Sequence, residues 1–253
     1  MTTLAIIGGT GLTRMPGLNV TRREMVKTPY GAPSCPLIFG TLGGCELAFL
    51  PRHGSTHRIP PHRVNYCANI WALHNVGIRQ IIAISAVGAI DEACSVGSIV
   101  VPDQIIDYTH DRESTFFDGG DNPVEHIDFS YPYNDVLRQS LISGARTCED
   151  VKLVETGTYG AVRGPRFDTV AEVQRMARDG CTIIGMTGMP EASLAAELRV
   201  AYACLAVVIN PAAGSAGKPI DTGSLAAAID GGMTTARSVL SATLQMPEMA
   251  QPG

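Results

Sequence analysis

The chain has 253 residues and a net charge of −5, with 45% hydrophobic and 17% charged residues, 27 glycines and 16 prolines. This length corresponds to one large domain or two small ones, and the composition is typical of a compact globular protein rich in tight turns. A disordered or fibrous chain is excluded, and because no dense run of Lys and Arg occurs, nucleic acid is not expected as a partner.

Neither a membrane span nor a secretory signal is predicted. The longest uncharged stretch, residues 200–217, is interrupted by Asn210 and Pro211, which do not suit a membrane helix. The first residues lack the basic region and the small-residue cleavage site of an export signal. The seven cysteines are scattered without a Cys-x-x-Cys pair, so we expect reduced thiols in a cytoplasmic protein.

Short apolar runs that end at small residues predict buried strands in the first half of the chain. Residues 4–7 lead into the glycine loop 8–11, and residues 80–85 lead into an Ala-Val-Gly segment. Residues 98–102 predict a further strand. Apolar residues at helical spacing over 62–76, followed by a glycine, predict a helix with a glycine stop.

The second half of the chain alternates helices with strands after one long loop. Residues 107–133 are polar and aromatic and contain glycine and proline, which predicts a long functional loop. The predicted helices cover 134–146, 169–179, 191–203 and 225–244, and the predicted strands cover 157–162, 182–185 and 205–209. This alternation predicts an α/β fold: a single domain, residues 1–245, with a largely parallel, twisted central sheet flanked by helices, and a short tail at 246–253.

The glycine loop at residues 8–11 is a candidate anion cradle. Glycines after a strand let backbone N–H groups approach an anion, and Thr10 adds a hydroxyl group. A plain tight turn is an equally good interpretation. The loop is not a dinucleotide-binding fingerprint, since Arg14 stands where a third glycine belongs, and no Walker A motif occurs. No nicotinamide or nucleotide cofactor is therefore expected.

A second candidate is the pair Arg52 and His53, which follows an apolar run and precedes His57 and His62. The histidine spacing resembles that of metal ligands, but two adjacent prolines prevent one helix from holding all three, and no cysteine or carboxylate completes a ligand shell. No metal is therefore expected. Arg52 beside His53 at a strand end suits a bound oxyanion, and the alternative is a surface salt bridge.

Three further segments each have two interpretations. Phe167 and Asp168 would stack on a ring and meet its edge, or would serve as staple and N-cap of the following helix. Residues 185–191 place the first amides of a helix where an anion or a sugar would bind, although helix chemistry alone explains Glu191. Asn210 brings a primary amide to the end of an apolar strand, or simply forms a turn with the proline that follows.

Six segments, taken in order, resemble the trimeric purine nucleoside phosphorylase family, and most closely its methylthionucleoside phosphorylase branch. The matching segments are IIGGTGL (6–12), PRHG (51–54), HRVNYCANIWAL (62–73), SAVGAI (85–90), RGPRFDT (163–169) and MTGMPE (186–191). The resemblance implies that inorganic phosphate attacks C1′ of a purine nucleoside and releases the base and a sugar 1-phosphate. It also implies a homotrimer and a reaction without cofactor or metal.

By matching position, the resemblance assigns phosphate binding to Thr10, Arg52, His53, Ser85, Ala86 and Thr187. It places Met186 beneath the ribose. A looser alignment puts Thr222 and Leu225 in an apolar pocket for the 5′ group, with His126 supplied by a neighbouring subunit. The family usually has threonine where Ser85 stands, and the hydroxyl group is retained.

Asn210 and Asp168 are expected to recognise the purine edge and to act in catalysis. A 6-oxopurine presents O6 as an acceptor and N1–H as a donor, whereas adenine presents an amino donor and a bare N1. Asn210 can donate to O6 and accept from N7 as that nitrogen is protonated, and ionised Asp168 can accept from N1–H. The pair therefore fits hypoxanthine, and adenine would make an unpaired or repulsive contact with Asp168.

These residues depart from the adenine-specific members of the same branch. Those proteins carry Asp at the positions of Asn210 and Ala212, and a small hydroxyl residue at the position of Asp168. The sequences of the six motifs still match the methylthionucleoside phosphorylase branch most closely. The expected reaction is therefore phosphorolysis of S-methyl-5′-thioinosine to hypoxanthine and 5-methylthioribose 1-phosphate, in purine salvage. The alternatives are an inosine/guanosine phosphorylase, a methylthioadenosine phosphorylase, a nucleoside hydrolase and a non-catalytic nucleotide sensor.

Overall fold

One sheet of eleven strands organises the part of the chain that the computed structural model describes, residues 3–119, 123–215 and 220–246. The strands are β1 (Leu4–Gly8), β2 (Asn19–Glu24), β3 (Leu37–Leu42), β4 (Cys45–Pro51), β5 (Gln80–Ala89), β6 (Ile99–Val100), β7 (Gln104–Asp107), β8 (Leu153–Val154), β9 (Thr158–Ala161), β10 (Ile183–Gly185) and β11 (Ala201–Pro211). The helices are α1 (Tyr66–Asn75), α2 (Asp135–Arg146), α3 (Val170–Arg178), α4 (Glu191–Glu197) and α5 (Leu225–Thr243), and a 3₁₀ turn covers Pro61–Arg63. No helix in these ranges combines the length and the apolar character needed to span a bilayer.

Four parallel strands form the buried centre of the sheet. β1 lies between β4 and β5, and β11 pairs with the other edge of β5. The side chains of Ala5 and Ile7 pack with α1 and α4, whereas those of Leu4 and Ile6 pack with α2 and α5. Helices on both faces explain why these strands are continuously apolar rather than alternating. The predicted α/β fold with its helix-flanked sheet is confirmed.

The ends of two strands meet along one edge of β5. β1 runs parallel to β5 and its last paired residue opposite β5 is Ile7, beside Ala83. β10 runs antiparallel to β5, and Ile184 lies beside Gly88. Since β11 occupies the other edge of β5 along its length, β1 and β10 share the same edge and point their carboxyl ends at each other. The segment of β5 between them is therefore open to a ligand.

The remaining strands bring further loops to the same place. β4 runs parallel to β1, with Pro51 beside Gly8, so Arg52 follows at the level of the glycine loop. β9 and β7 continue the sheet beyond β10 in parallel. A register shift between Val208 and Asn210 marks a bulge in β11, and bulges of this kind redirect side chains near sites. The carboxyl ends of these strands thus converge on one region.

Two element predictions are wrong in their boundaries. The helix predicted over 191–203 ends at Glu197, because Arg199 takes a left-handed backbone conformation (φ +55°) and residues from Ala201 onward pair with β5. The helix predicted over 62–76 is regular only in α1, where the Asn65 side chain accepts a hydrogen bond from the Ala68 N–H and caps the first turn.

The predictions otherwise differ mainly at strand ends. The strand predicted over 98–102 is reduced to β6, and the strands predicted from 80 and 205 are longer in β5 and β11. Four strands were not predicted: β2, β3, β7 and β8. Of these, β2 is an exposed edge strand rich in charge and lacks an apolar run. Residues 247–253 of the predicted tail and residues 120–122 of the predicted loop lie outside the described ranges. The domain boundary at residue 245 stays a prediction.

Candidate active site

A cavity of about 550 Å³ lies where β1 and β10 end on β5. Eleven of the residues predicted for the site line this cavity: Thr10, Arg52, His53, Ser85, Ala86, Phe167, Asp168, Met186, Thr187, Asn210 and Leu225. The other two do not contribute to its lining. His126 is exposed in the long loop, and Thr222 is exposed in the turn before α5.

The glycine loop forms part of one wall of the cavity, and its glycines leave no room for larger residues. A Cβ atom on Gly9 would lie 2.7 Å from the Ile84 carbonyl oxygen and 3.0 Å from Arg52 Nη1. Real Cβ atoms essentially never approach another atom as closely as 2.7 Å, so packing requires glycine at position 9. The loop is a tight turn, closed by the Leu12 N–H donating to the Gly9 carbonyl at 3.0 Å, and Gly9 and Thr10 line the cavity.

Arg52 is completely buried and forms a two-pronged ion pair with Glu191. Its Nε and Nη2 atoms each lie 2.7 Å from a carboxylate oxygen of Glu191, and Nη1 donates to the Ile84 carbonyl at 3.1 Å. The alternative of a surface salt bridge is therefore wrong. Burial acts to lower the pKa of the Arg52 guanidinium, but the Glu191 carboxylate raises it well above the usual range, so Arg52 stays charged.

His53 is held as a neutral imidazole. Its Nδ1 atom lies 2.8 Å from the Ile59 carbonyl oxygen, and since a carbonyl only accepts, Nδ1 carries the proton. Burial and then the nearby Arg52 charge lower the pKa of His53 to about 4. The Nε2 atom therefore remains for a ligand. The ring of His57 also lines the cavity, with its centroid 4.8 Å from that of His53.

Two hydroxyl groups, one on the open segment of β5 and one just after β10, lie close together. The Ser85 Oγ and Thr187 Oγ1 atoms are 3.2 Å apart, and both side chains are buried. Thr187 follows β10, and Ser85 lies in the open segment of β5, next to Ala86. With Arg52, His53 and the glycine loop, this end of the cavity is rich in donors suited to an oxyanion.

Asn210 stands on the bulge of β11 at a second side of the cavity. Its Nδ2 atom donates to the Pro211 carbonyl at 2.7 Å. Because a carbonyl can only accept, this bond fixes which end of the amide is nitrogen. One Nδ2 hydrogen and the Oδ1 atom remain for a ligand. Gly88 leaves room for the amide, since a Cβ there would be 3.3 Å from Nδ2.

Asp168 and Phe167 enter the cavity from the start of α3. The structure corrects the alternative interpretation of Asp168 as N-cap: the Thr169 side chain accepts from the Glu172 N–H and completes a capping box, one residue later than expected. The Asp168 carboxylate is half-buried, and burial, followed by the Glu172 charge, raises its pKa. The Phe167 ring is 42% exposed and offers a face for stacking.

Part of the lining is apolar. Leu225 and Ile229, one turn apart on α5, line the cavity together with Ile220. The side chain of Ile229 also packs on the glycine loop, because a Cβ on Gly11 would lie 2.5 Å from its Cγ2 atom. The apolar wall is therefore built from the start of α5 and is held close to the donor-rich end.

Sequence reasoning missed two residues that support the site, Glu191 and Arg112. Arg112 extends from the predicted long loop and donates to the carbonyls of Met186 (2.9 Å), Arg163 (2.7 Å) and Met189. These bonds fix the segments on either side of Thr187. Glu191 ends the matched segment 186–191, and Arg112 lies in a loop already expected to be functional. Neither position indicates its role, because both residues act on partners far along the chain.

Within the described ranges, no three His, Cys, Asp or Glu side chains come together as a metal site. The described lining instead combines a donor-rich end, the Asn210 amide and the Asp168 carboxylate, and an apolar wall. A cavity of this kind in an α/β fold is typical of an enzyme that binds an anion beside a small organic substrate.

Comparison with known proteins identifies the family. Residues 3–245 match the model of the Phosphorylase superfamily, and the chain belongs to this family. It is 49% identical over 244 residues, 96% of this chain and 99% of the relative, to a probable S-methyl-5′-thioinosine phosphorylase of Pseudomonas syringae pv. tomato. It is 45% identical over 225 residues, 87% of this chain and 83% of the relative, to a 6-oxopurine nucleoside phosphorylase of Pyrococcus furiosus.

A solved structure shows the same architecture. Methylthioadenosine phosphorylase from Schistosoma mansoni, in complex with adenine, superimposes with a TM-score of 0.89 at 30% identity, covering 96% of this chain and 91% of that chain. The family and the reaction class predicted from the six motifs are confirmed. The protein is a phosphorylase of the purine nucleoside type, which transfers a pentosyl group to phosphate.

Proposed function

We propose that this enzyme cleaves S-methyl-5′-thioinosine with inorganic phosphate, giving hypoxanthine and 5-methylthioribose 1-phosphate. The observation that carries the proposal is the presence of Asn210 and Asp168 in the same cavity as the oxyanion-binding residues. Phosphate is the nucleophile and the nucleoside is the other substrate, so the reaction requires neither a cofactor nor a metal. The proposal includes a homotrimeric cytoplasmic enzyme of purine salvage, in which a neighbouring subunit supplies His126.

The oxyanion-binding end of the cavity supplies the phosphate site. Nη1 and Nη2 of Arg52 each retain one N–H beyond the bonds to Ile84 and Glu191. Neutral His53 offers Nε2, which accepts from a protonated phosphate oxygen. The Ser85, Thr187 and Thr10 hydroxyls complete the set; Ala86 contributes backbone. Fixed donors place the nucleophile beside C1′ and leave its charge to stabilise the oxocarbenium-like sugar.

Asn210 and Asp168 supply the base site. The second Nδ2 hydrogen of Asn210 donates to O6, and Oδ1 accepts from N7 when the departing base takes up a proton. Ionised Asp168 accepts from N1–H. With adenine, the Asn210 amide would face the amino group with its donor, and Asp168 would face the N1 lone pair. The site therefore favours a 6-oxopurine, the base named for the P. furiosus relative.

The apolar wall supplies the site for the 5′ group. The side chains of Leu225, Ile229 and Ile220 cannot form hydrogen bonds. A methylthio group needs none, whereas a 5′-hydroxyl group would lose its hydrogen bonds to water here without replacing them. Thr222, predicted to join this wall, is exposed and does not line the cavity. Inosine remains the rival substrate because it shares the base and differs only at the 5′ position.

A substrate panel tests the proposal. The purified enzyme is given S-methyl-5′-thioinosine, S-methyl-5′-thioadenosine or inosine, each with and without phosphate, and the products are separated by chromatography. We expect the highest kcat/KM for S-methyl-5′-thioinosine, with 5-methylthioribose 1-phosphate formed only when phosphate is present. Faster cleavage of S-methyl-5′-thioadenosine contradicts the base assignment, faster cleavage of inosine contradicts the 5′ assignment, and free 5-methylthioribose identifies a hydrolase.

A further inference from the structure

Glu191, the ion-pair partner of Arg52, is buried and does not line the cavity. Glu191, at the first residue of α4, is completely buried, and its carboxylate receives the two Arg52 bonds at 2.7 Å. The hydroxyl of buried Tyr202, on β11, donates to the same carboxylate at 2.9 Å. Three elements, the end of β4, the start of α4 and β11, therefore meet at one carboxylate directly behind the phosphate site.

This arrangement determines which donors of Arg52 face the ligand. Nε and one hydrogen of Nη2 are bound by Glu191, and one hydrogen of Nη1 is bound by Ile84. Nη1 lies against the glycine loop, 3.0 Å from the Cβ position of Gly9. Because the guanidinium is planar, fixing one edge on Glu191 fixes the direction of the two remaining N–H groups.

The same pair also sets the charge behind the phosphate. The negative charge of Glu191 balances the positive charge of Arg52, and His53 is neutral. The exposed Arg58 and the half-buried Asp168 are the other charged side chains in the described lining. A phosphate that enters this end of the cavity therefore meets directed donors without an unbalanced buried cation. An anion held in this way keeps more of its charge for the developing oxocarbenium ion.

We propose that Glu191 is a positioning residue of the phosphate site: it aims the free N–H groups of Arg52 at the nucleophile and balances the arginine charge, and Tyr202 holds it in place. The inference rests on the phosphate site of the proposed function. A merely structural role, in which the pair only ties α4 to β4, predicts lower stability without any selective effect on phosphate.

Kinetics of Glu191→Gln and Tyr202→Phe separate these two roles. A Gln amide presents an N–H to the arginine fork in place of one acceptor, so we expect kcat/KM for phosphate to fall roughly 100-fold while KM for the nucleoside changes less than about 3-fold. Tyr202→Phe keeps both charges and removes one hydrogen bond, so KM for phosphate is expected to rise about 5-fold. Thermal unfolding with and without phosphate measures phosphate binding independently of turnover.

Chemical rescue with guanidinium distinguishes the positioning role of Glu191 from a merely structural one. Arg52→Ala removes the guanidinium from the cavity wall and leaves Glu191 as a receptor for an added guanidinium ion. We expect guanidinium chloride, compared with sodium chloride at equal ionic strength, to restore phosphorolysis at least 10-fold in Arg52→Ala and not in the double variant Arg52→Ala/Glu191→Gln. Equal rescue of both variants overturns the proposal.

The remaining outcomes also decide the question. A folded Glu191→Gln enzyme whose kcat/KM for phosphate matches that of the natural enzyme overturns the proposal. If Glu191→Gln does not fold, Tyr202→Phe decides, and an unchanged KM for phosphate in that variant overturns it. Every assay uses the nucleoside that the natural enzyme cleaves best. Failure of the natural enzyme to show phosphate-dependent cleavage is thus a failure of the proposed function and is distinguished from failure of the role of Glu191.

Discussion

The change Asp168→Asn tests base selection with the least disturbance to the fold. Asparagine has nearly the same shape as aspartate, and the start of α3 keeps its cap because Thr169, not Asp168, bonds the helix N-terminus. The carboxylate offers only acceptors, whereas the amide offers an acceptor and a donor. The variant therefore loses the preference for a base that carries a proton on N1.

The size of the effect follows from the type of hydrogen bond. A bond to a charged acceptor contributes about 1.5–3 kcal/mol and a neutral one about 0.5–1.5 kcal/mol, so the loss for a 6-oxopurine is roughly 1 kcal/mol at this half-buried site. That corresponds to about 5-fold in kcat/KM for S-methyl-5′-thioinosine. For S-methyl-5′-thioadenosine, the amide donates to N1 and the charge repulsion disappears, so kcat/KM rises roughly 10-fold or more.

The assay measures kcat/KM for both nucleosides at neutral pH and saturating phosphate. Asp150→Asn is a matched control, because Asp150 is an exposed residue outside the cavity whose left-handed conformation (φ +61°) Asn also adopts. The ratio of the two values is expected to move about 50-fold in Asp168→Asn and to stay constant in Asp150→Asn. A ratio that moves less than about 3-fold in Asp168→Asn refutes the role of Asp168 in base selection.

Three further predictions concern pH, the glycine loop and the apolar wall. Burial raises the pKa of Asp168, so the carboxyl group is protonated as the pH falls through that raised value. Cleavage of S-methyl-5′-thioinosine then declines, and the relative rate with S-methyl-5′-thioadenosine increases. If the Asp168→Asn variant shows the same decline in kcat/KM at acid pH, the assignment is contradicted. Gly9→Ala forces a Cβ to 2.7 Å from the Ile84 carbonyl oxygen. KM for phosphate should therefore rise about 10-fold, and the free energy of unfolding should fall by about 1–3 kcal/mol. Steady-state kinetics and urea unfolding measure these two changes, and Gly231→Ala is the control because its Cβ position is open. Leu225→Ser should lower the preference for S-methyl-5′-thioinosine over inosine about 5-fold, measured as a kcat/KM ratio that Leu225→Met leaves unchanged.

The sequence was sufficient for the parts of the molecule that depend on neighbouring residues. Apolar runs that stop at glycine or alanine predicted β1 and β5, and the motifs around Thr10, Arg52 and Thr187 predicted residues that line one cavity. The convergence of Thr10 and Arg52 follows from strand order, since β1 and β4 run parallel and the ends of parallel strands lie at one edge of a sheet. Local pattern is informative here because burial on both faces requires uniformly apolar strands.

Long-range pairing set the limits of prediction. Glu191 and Arg52 are far apart in the chain, so no spacing indicates that they form a buried ion pair. The helix predicted over 191–203 fails for the same reason, because pairing with β5 outweighs the helical pattern from Ala201 onward. The antiparallel approach of β10 to β5, which leaves an open segment of β5 facing the end of β1, is likewise a property of the assembled sheet.

The most direct test of base recognition is a crystal structure of the enzyme with hypoxanthine and phosphate bound. We expect phosphate beside Arg52, and hypoxanthine with N1 about 2.7–3.0 Å from an Asp168 oxygen and with O6 and N7 at similar distances from Asn210 Nδ2 and Oδ1. A purine bound with O6 pointing away from Asn210, or with N1 out of reach of Asp168, contradicts the account of how this enzyme selects its substrate.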